Sequence, residues 1–262
     1  MGLRLADDDA GYDGALPGDG GKGALADATK KLLERAAELH DALHAESRRS
    51  LLVVLQARDA GGKDGTIRKV FRALNPVALQ VTSFKAPSAD ELSRDFLWRV
   101  HRAVPPRGTI GVFNRSHYED VLVARVRELV PRDVWSRRYG QINDFERMLT
   151  ENGVTLLKVF LHISKREQLK RLQARVDDPT KHWKVAAGDW KEHELWSAYT
   201  QAYRDALRKC STPWAPWYVV PADDKKVRDW LVARVLTARL QRMAPRYPEA
   251  SSKVLDDVEA AR

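Results

Sequence analysis

Ser50-Leu-Leu-Val-Val-Leu-Gln-Ala-Arg-Asp-Ala-Gly-Gly-Lys-Asp-Gly65 decides the fold of this chain. Residues 50–56 form a short, continuous apolar run, the pattern of a strand buried on both faces of a parallel sheet. The run passes straight into Ala57-Arg-Asp-Ala-Gly-Gly-Lys-Asp-Gly65, and a helix is expected to begin near Lys63. A strand, a glycine-containing loop, a lysine and a helix N-terminus bring backbone N–H groups and a helix dipole to one point, which suits a phosphate. The standard loop reads G-x-x-x-x-G-K-[ST]. Here Ala57 replaces the first glycine and Asp64 the hydroxyl residue. Asp59 adds a carboxylate inside the loop, which repels phosphates unless a cation lies between them. Asp59 is therefore a candidate metal ligand, and the alternative is a local Asx turn.

Similar apolar runs recur at 79–84, 109–113, 155–163 and 217–220, and helical patterns are expected at 25–49, 63–74, 88–100, 116–127, 133–151, 164–175, 189–209 and 223–243. Strands alternating with helices predict a doubly wound α/β fold, mostly parallel, with its ligand at the carboxyl ends of the strands. Ser88 with Glu91 and Ser164 with Glu167 have capping-box spacing. Residues 1–23 are rich in Gly and Asp and read as a mobile arm, and the tail after Ala244 reads as frayed.

The 262 residues, 44% of them hydrophobic, suit one compact domain. No secretory leader and no membrane-length apolar run is evident, so a soluble, cytoplasmic protein is expected. The single cysteine, Cys210, excludes an intrachain disulfide and a cysteine metal cage, and reads as an idle thiol. Net charge is +9, but residues 1–21 carry −4 and 244–262 carry −1, so the body holds 41 basic against 27 acidic side chains. Such a body attracts polyanions, although composition alone does not separate nucleic acid, acidic membrane and polyphosphate.

The third strand ends in Gly111-Val-Phe-Asn-Arg-Ser-His-Tyr-Glu-Asp120, where polar groups appear at a strand's carboxyl end. Ser116 and Glu119 have capping-box spacing, so Glu119 is either a cap or a functional carboxylate. Asp120 falls in the first turn of the next expected helix, where it can face a cation. Arg115 is placed for phosphate contact. Arg171 and Arg175, four apart on helix 164–175, either straddle phosphates or form a solvated basic face. Phe84 is either core or nucleotide contact. Six of the eight tryptophans follow residue 180, and packing is favoured over base stacking for them. His117 and His162 receive no catalytic role.

These segments together resemble the polyphosphate kinase 2 family. Asp59–Gly65 looks like its phosphate loop, Phe113–Asp120 like its second motif and Arg138–Glu146 like its following helix, and Phe160–Glu167 and the stretch to Trp190 continue the likeness. The resemblance covers about 25–243. It implies a thymidylate-kinase-like P-loop kinase core over 24–243, a mostly parallel sheet flanked by helices, with a helical lid at about 165–190. It implies reversible phosphoryl transfer from inorganic polyphosphate to AMP and ADP with Mg²⁺, in a homo-oligomer that binds neither nucleic acid nor membrane.

Carried onto this chain, the resemblance makes Ala60, Gly61, Gly62, Lys63, Asp64, Gly65, Arg115, Arg171 and Arg175 phosphate ligands. Phe84, Lys85 and Asn114 become acceptor residues, and Asp59 and Asp120 metal ligands. The catalytic set is Asp59, Lys63, Asn114, Arg115, Glu119 and Asp120. Many members carry Asp where this chain has Asn114, and the Asn form with Glu119 and Asp120 looks like the subgroup that phosphorylates both AMP and ADP. The rivals are an ATP-dependent nucleotide or small-molecule kinase and a nonenzymatic polyanion binder.

Overall fold

A computed structural model describes residues 5–18, 21–185 and 187–250. Five parallel strands, β1 (Ser50–Ala57), β2 (Leu79–Ser83), β3 (Ile110–Asn114), β4 (Val154–His162) and β5 (Trp217–Pro221), form one sheet in the order β2-β3-β1-β4-β5. All eight residues of β1 are buried, because the strand lies between β3 and β4 and is covered on both faces. Its side chains alternate between two cores. Leu51, Val53, Leu55 and Ala57 face one way, toward helices α1 (Lys22–Glu46), α2 (Lys63–Val70) and α10 (Lys225–Met243). Leu52 and Val54 face the other, toward α6 (Arg132–Glu151) and α9 (Trp196–Lys209).

The expected α/β architecture is therefore present. The chain leaves β1 toward β2 and β3 on one side and crosses to β4 and β5 on the other. That reversal opens a crevice at the carboxyl end of β1, directly above the loop singled out in the sequence.

Several expected helices are shorter or broken. The 63–74 segment is α2 followed by a tight 3₁₀ turn at Phe71–Ala73. The 88–100 segment divides into α3 (Ala89–Leu92) and α4 (Trp98–His101). The 116–127 segment is a 3₁₀ turn, His117–Asp120, followed by α5 (Val123–Val126). The 164–175 segment is α7 (Lys165–Val176), and 189–209 breaks at Leu195 into α8 (Ala187–Glu194) and α9.

The capping boxes differ as well. Ser88 and Glu91 exchange both bonds. Ser164 Oγ accepts from Glu167 N, but the Glu167 carboxylate turns to Arg171 instead. Ser116 Oγ accepts from Tyr118 N rather than from Glu119 N, which frees Glu119 to turn inward.

The described part of the expected arm packs on the core. Leu5 and Ala10 are buried, Ala6 O lies 2.8 Å from His162 Nε2, and Tyr12 meets Trp230 edge-on at 5.9 Å. Periodicity does not report these contacts, because one buried leucine and two backbone bonds leave no repeating pattern.

Below the sheet's second face lies a fully buried ion pair, Lys158 Nζ to Glu146 Oε2 at 2.5 Å. The ammonium also donates to Tyr118 OH (2.8 Å) and to Cys210 O (2.6 Å), and the other carboxylate oxygen meets Tyr118 OH and His117 Nε2. Burial pushes the Lys158 pKa down, opposed by Glu146. Burial also raises the Cys210 thiol to about 12, in keeping with an idle group.

Removing one partner strands the other charge in the core, so Lys158→Met is expected to cost about 3–5 kcal/mol in urea unfolding. Adding Glu146→Gln should restore part of that loss, because no uncompensated charge remains. Equal loss in the single and double variants would show that packing, not charge, sets the cost.

Candidate active site

The loop Arg58–Gly62 turns the chain from β1 into α2 in very little space. A Cβ on Gly61 would come within 2.5 Å of the Ala57 Cβ and 2.8 Å of the Arg58 carbonyl oxygen. Gly62 has φ +100°, and a Cβ there would fall 2.0 Å from Arg228 Nη1. Glycine is needed at both positions, and Ala57, in place of the usual first glycine, forms part of the wall against Gly61. The first amides of α2 have no partner within the helix, so they are available to an anion at the positive end of the dipole.

Lys63 is buried and folds back so that its Nζ donates to Ala57 O at 2.9 Å. Burial lowers its pKa, and Arg115 adds to the effect. Arg115 itself sits in the left-handed region (φ +64°) and donates to Asp59 Oδ1 at 2.8 Å. The phosphate loop and the end of β3 are thus joined by an ion pair.

Above the loop lies a cleft of about 830 Å³. Asp59–Gly65 forms one wall, Ser83–Ala86 with Asn114 and Arg115 a second, and Arg171, Arg175 and residues of the turn Pro179–Lys184 complete the lining. Asn114 Nδ2 donates to Asp64 Oδ1 at 2.9 Å, and the residue is partly exposed at the end of β3. Phe84 is 8% exposed and meets Phe113 edge-on at 4.9 Å, so most of its surface serves the core, while Lys85 is exposed.

The two arginines of α7 make different contacts. Every N–H direction of Arg171 that a bond occupies points at the protein: Nε to Glu167, Nη1 to Ala60 O, and Nη2 to Ala222 O and Asp223 O. Arg171 therefore braces the loop. Arg175 pairs with Asp189 at 2.9 Å on the far side of the cleft.

Asp59 and Asp120 are not brought together. The Asp120 carboxylate accepts from Arg138 Nη1 at 3.1 Å and lines neither the cleft nor its neighbouring slot. Burial raises its pKa, against Arg138 and Arg99. Glu119, in contrast, joins Asp59 and Arg115 in a small, half-open slot of about 30 Å³ beside the loop. Burial raises the Glu119 pKa, and Arg115 and Lys63 hold it down.

Among the described residues no three metal-type side chains cluster. The carboxylates of Asp59, Asp64 and Asp189 line the cleft, a donor set that would suit a divalent cation bound through few protein ligands.

Four residues passed over in the sequence bear on the site. Arg58 is buried, stacks on Trp196 at 3.7 Å, and is lowered to about 10 by burial. Gln168 Nε2 donates to Asp59 O. Arg228, from α10, lies against Gly62 with two of its nitrogens on Asp229 Oδ1. Trp183 lies in the cleft at 79% exposure, contrary to the packing expected of the late tryptophans. Only Arg58, inside the loop itself, carried a local signal.

A family model for polyphosphate kinase 2 matches residues 22–248. The chain belongs to the polyphosphate kinase 2 family. It is 52% identical over 240 residues to the AMP/ADP-polyphosphate phosphotransferase of Meiothermus ruber, covering 90% of each chain. It is 45% identical over 231 residues to the ADP-polyphosphate phosphotransferase of Rhodopseudomonas palustris, covering 84% of this chain and 80% of that one. The crystal structure of polyphosphate kinase 2 from Arthrobacter aurescens TC1 superposes with a TM-score of 0.86 at 40% identity, covering 100% of this chain and 99% of that one. Within this family member, the parallel sheet and the loop from β1 to α2 carry the cleft. No helix among the described residues is long and apolar enough to cross a membrane.

Gly62→Ala should both strain a left-handed residue and push against the Arg228 guanidinium, so transfer activity should fall at least about tenfold with a stability loss of roughly 1 kcal/mol or more. Initial rates beside a thermal melt check this. Normal rates with an unchanged melt would mean that the loop has more room than its atoms suggest.

Proposed function

We propose that this chain moves a phosphoryl group from inorganic polyphosphate to ADP and to AMP, reversibly. The observation that carries the reading is a single cleft with a phosphate loop on one wall and a basic, strand-end acceptor wall on the other, in a chain matching an AMP/ADP-polyphosphate phosphotransferase over nine-tenths of both lengths. A body rich in Lys and Arg draws in both polyanions. Nothing in this arrangement requires a protein nucleophile. Phosphoryl transfer needs the donor and acceptor held in line and the spread negative charge neutralised.

In this proposal the α2 amides and Lys63 bind the donor end, Lys63 exchanging its Ala57 carbonyl for phosphate oxygen. Arg115 and Arg175 neutralise charge over the cleft, and Arg171 holds the loop in shape for them. Asp59, which lines the cleft together with Asp64 and Asp189, would hold Mg²⁺, and the ion when bound would supply positive charge against the phosphates. Asp120 would serve that ion only on release from Arg138. Glu119 keeps Arg115 and Lys63 oriented from the slot beside the loop. A lid over the cleft excludes the water that would otherwise take the phosphoryl group. Assembly into a homo-oligomer and a cytoplasmic location complete the proposal on the family resemblance, and light scattering after size exclusion tests the first.

The decisive assay supplies Mg²⁺, polyphosphate and either ADP or AMP, without ATP. ATP and ADP should form respectively, and Lys63→Ala and Asp59→Ala should each lower the rate by about 10²-fold or more. Transfer only from ATP would mean an ATP-dependent kinase, and polyphosphate binding without turnover a binding protein.

The acceptor range has its own test. Asn114 donates to Asp64, so Asn114→Asp replaces a hydrogen bond with two opposed carboxylates beside the acceptor wall. The ratio of the AMP to the ADP rate should change by about threefold or more, on the order of a weak charge contact. An unchanged ratio would remove Asn114 from acceptor selection.

A further inference from the structure

The cleft is built for phosphate on nearly every side, and Trp183 is the exception. It sits in the lid turn Pro179–Lys184, lines the cleft and is 79% exposed. Its indole N–H is already satisfied, donating to Thr180 O at 3.1 Å. What the residue presents to the cleft is therefore aromatic surface with no polar demand of its own. The other aromatic side chain lining the cleft, Phe84, is almost wholly committed to the core.

A chain of contacts ties this ring to the acceptor wall. Lys184 Nζ lies 4.7 Å from the Trp183 ring centroid and 3.7 Å from Asp64 Oδ2. Asp64 Oδ1 accepts from Asn114, whose amide is also 3.4 Å from Ser83 Oγ, next to Phe84 and Lys85. The indole thus stands over the side of the cleft where the acceptor's phosphate would meet Lys85 and Asn114.

Two kinds of ligand enter a cleft that works as proposed above. Inorganic polyphosphate has no apolar face and gains nothing from an exposed indole, whereas a nucleobase stacks on one. A large aromatic that is 79% exposed in the cleft, its N–H already satisfied, fits the second. We propose that Trp183 is the stacking platform for the base of the acceptor nucleotide. The inference rests on the acceptor reading of the previous subsection. Lys184 occupies one ring face by a cation–π contact and is placed to reach the acceptor's phosphate, so the lid delivers base and phosphate contacts from neighbouring residues. Stacking tolerates any base but rewards ring area, so purine nucleotides should be preferred to pyrimidine nucleotides, with little distinction between adenine and guanine.

The test is calorimetric titration of AMP into the whole protein with Mg²⁺, using wild type, Trp183→Ala and Trp183→Phe, beside KM values for AMP and for polyphosphate. Trp183→Ala should weaken AMP binding and raise its KM by about tenfold or more, the usual loss of one stacked base. Trp183→Phe should keep most of the affinity, and the KM for polyphosphate should stay within about twofold in both variants. Unchanged AMP affinity in Trp183→Ala would overturn the proposal. So would an equal rise in both KM values, which would make Trp183 a lid-closure residue. A wild-type protein that binds neither AMP nor ADP would instead remove the acceptor reading itself. The position is exposed, so both variants should fold as the wild type does, and a melt within about 1–2 °C of wild type checks it.

Discussion

The turn from β1 into α2 has no room for a side chain at Gly61 and must be left-handed at Gly62, and the rest of the site is arranged around that constraint. A loop this tight projects its amides toward one point, but it holds no shape by itself. Its carbonyls are therefore taken from outside. Arg171 of α7 donates to Ala60 O, Gln168 to Asp59 O and Lys63 to Ala57 O. Each bond satisfies a loop carbonyl from a side chain, which holds the tight turn in shape.

The charges around the loop follow one pattern. Almost every guanidinium near the cleft has a carboxylate or carbonyl partner, as in Arg115 with Asp59, Arg175 with Asp189 and Arg228 with Asp229. Pairing keeps like charges close together in a half-buried space where, alone, they would repel strongly. A polyanion then competes for partially satisfied donors rather than filling a vacant cluster. Lys63 is the extreme case: burial disfavours its charged form, and an incoming phosphate would restore it.

The second face of the sheet anchors this arrangement from below. His117 and Tyr118, two and three residues beyond Arg115, reach down to Glu146 and so to Lys158 on β4. The residues after β3 therefore alternate between the buried network and the slot, with Glu119 turning back to face Asp59. That alternation is why the segment is a 3₁₀ turn and not the regular helix its composition suggests: a helix would not send His117 and Tyr118 to the core and Glu119 to the loop at once.

The run 50–65, read alone, determined that a doubly buried strand would deliver a phosphate loop to a helix N-terminus, because apolar continuity and glycine spacing are local properties of the chain. The alternation of strands and helices likewise determined a parallel sheet with its chemistry at the carboxyl edge. The sequence placed Asp59, Lys63, Asn114 and Arg115 near one another for the same reason, since neighbouring strand ends must meet. Only the tertiary structure decided that Asp120 turns to Arg138, that Arg171 braces and Arg175 overhangs, and that Arg228 arrives from a helix more than 150 residues along the chain. Side-chain direction at a helix start and contacts across long separations depend on which surfaces the sheet brings together. Trp183 shows the limit most clearly: its spacing matched that of tryptophans that pack, and only the position of the turn Pro179–Lys184 left it exposed at the cleft.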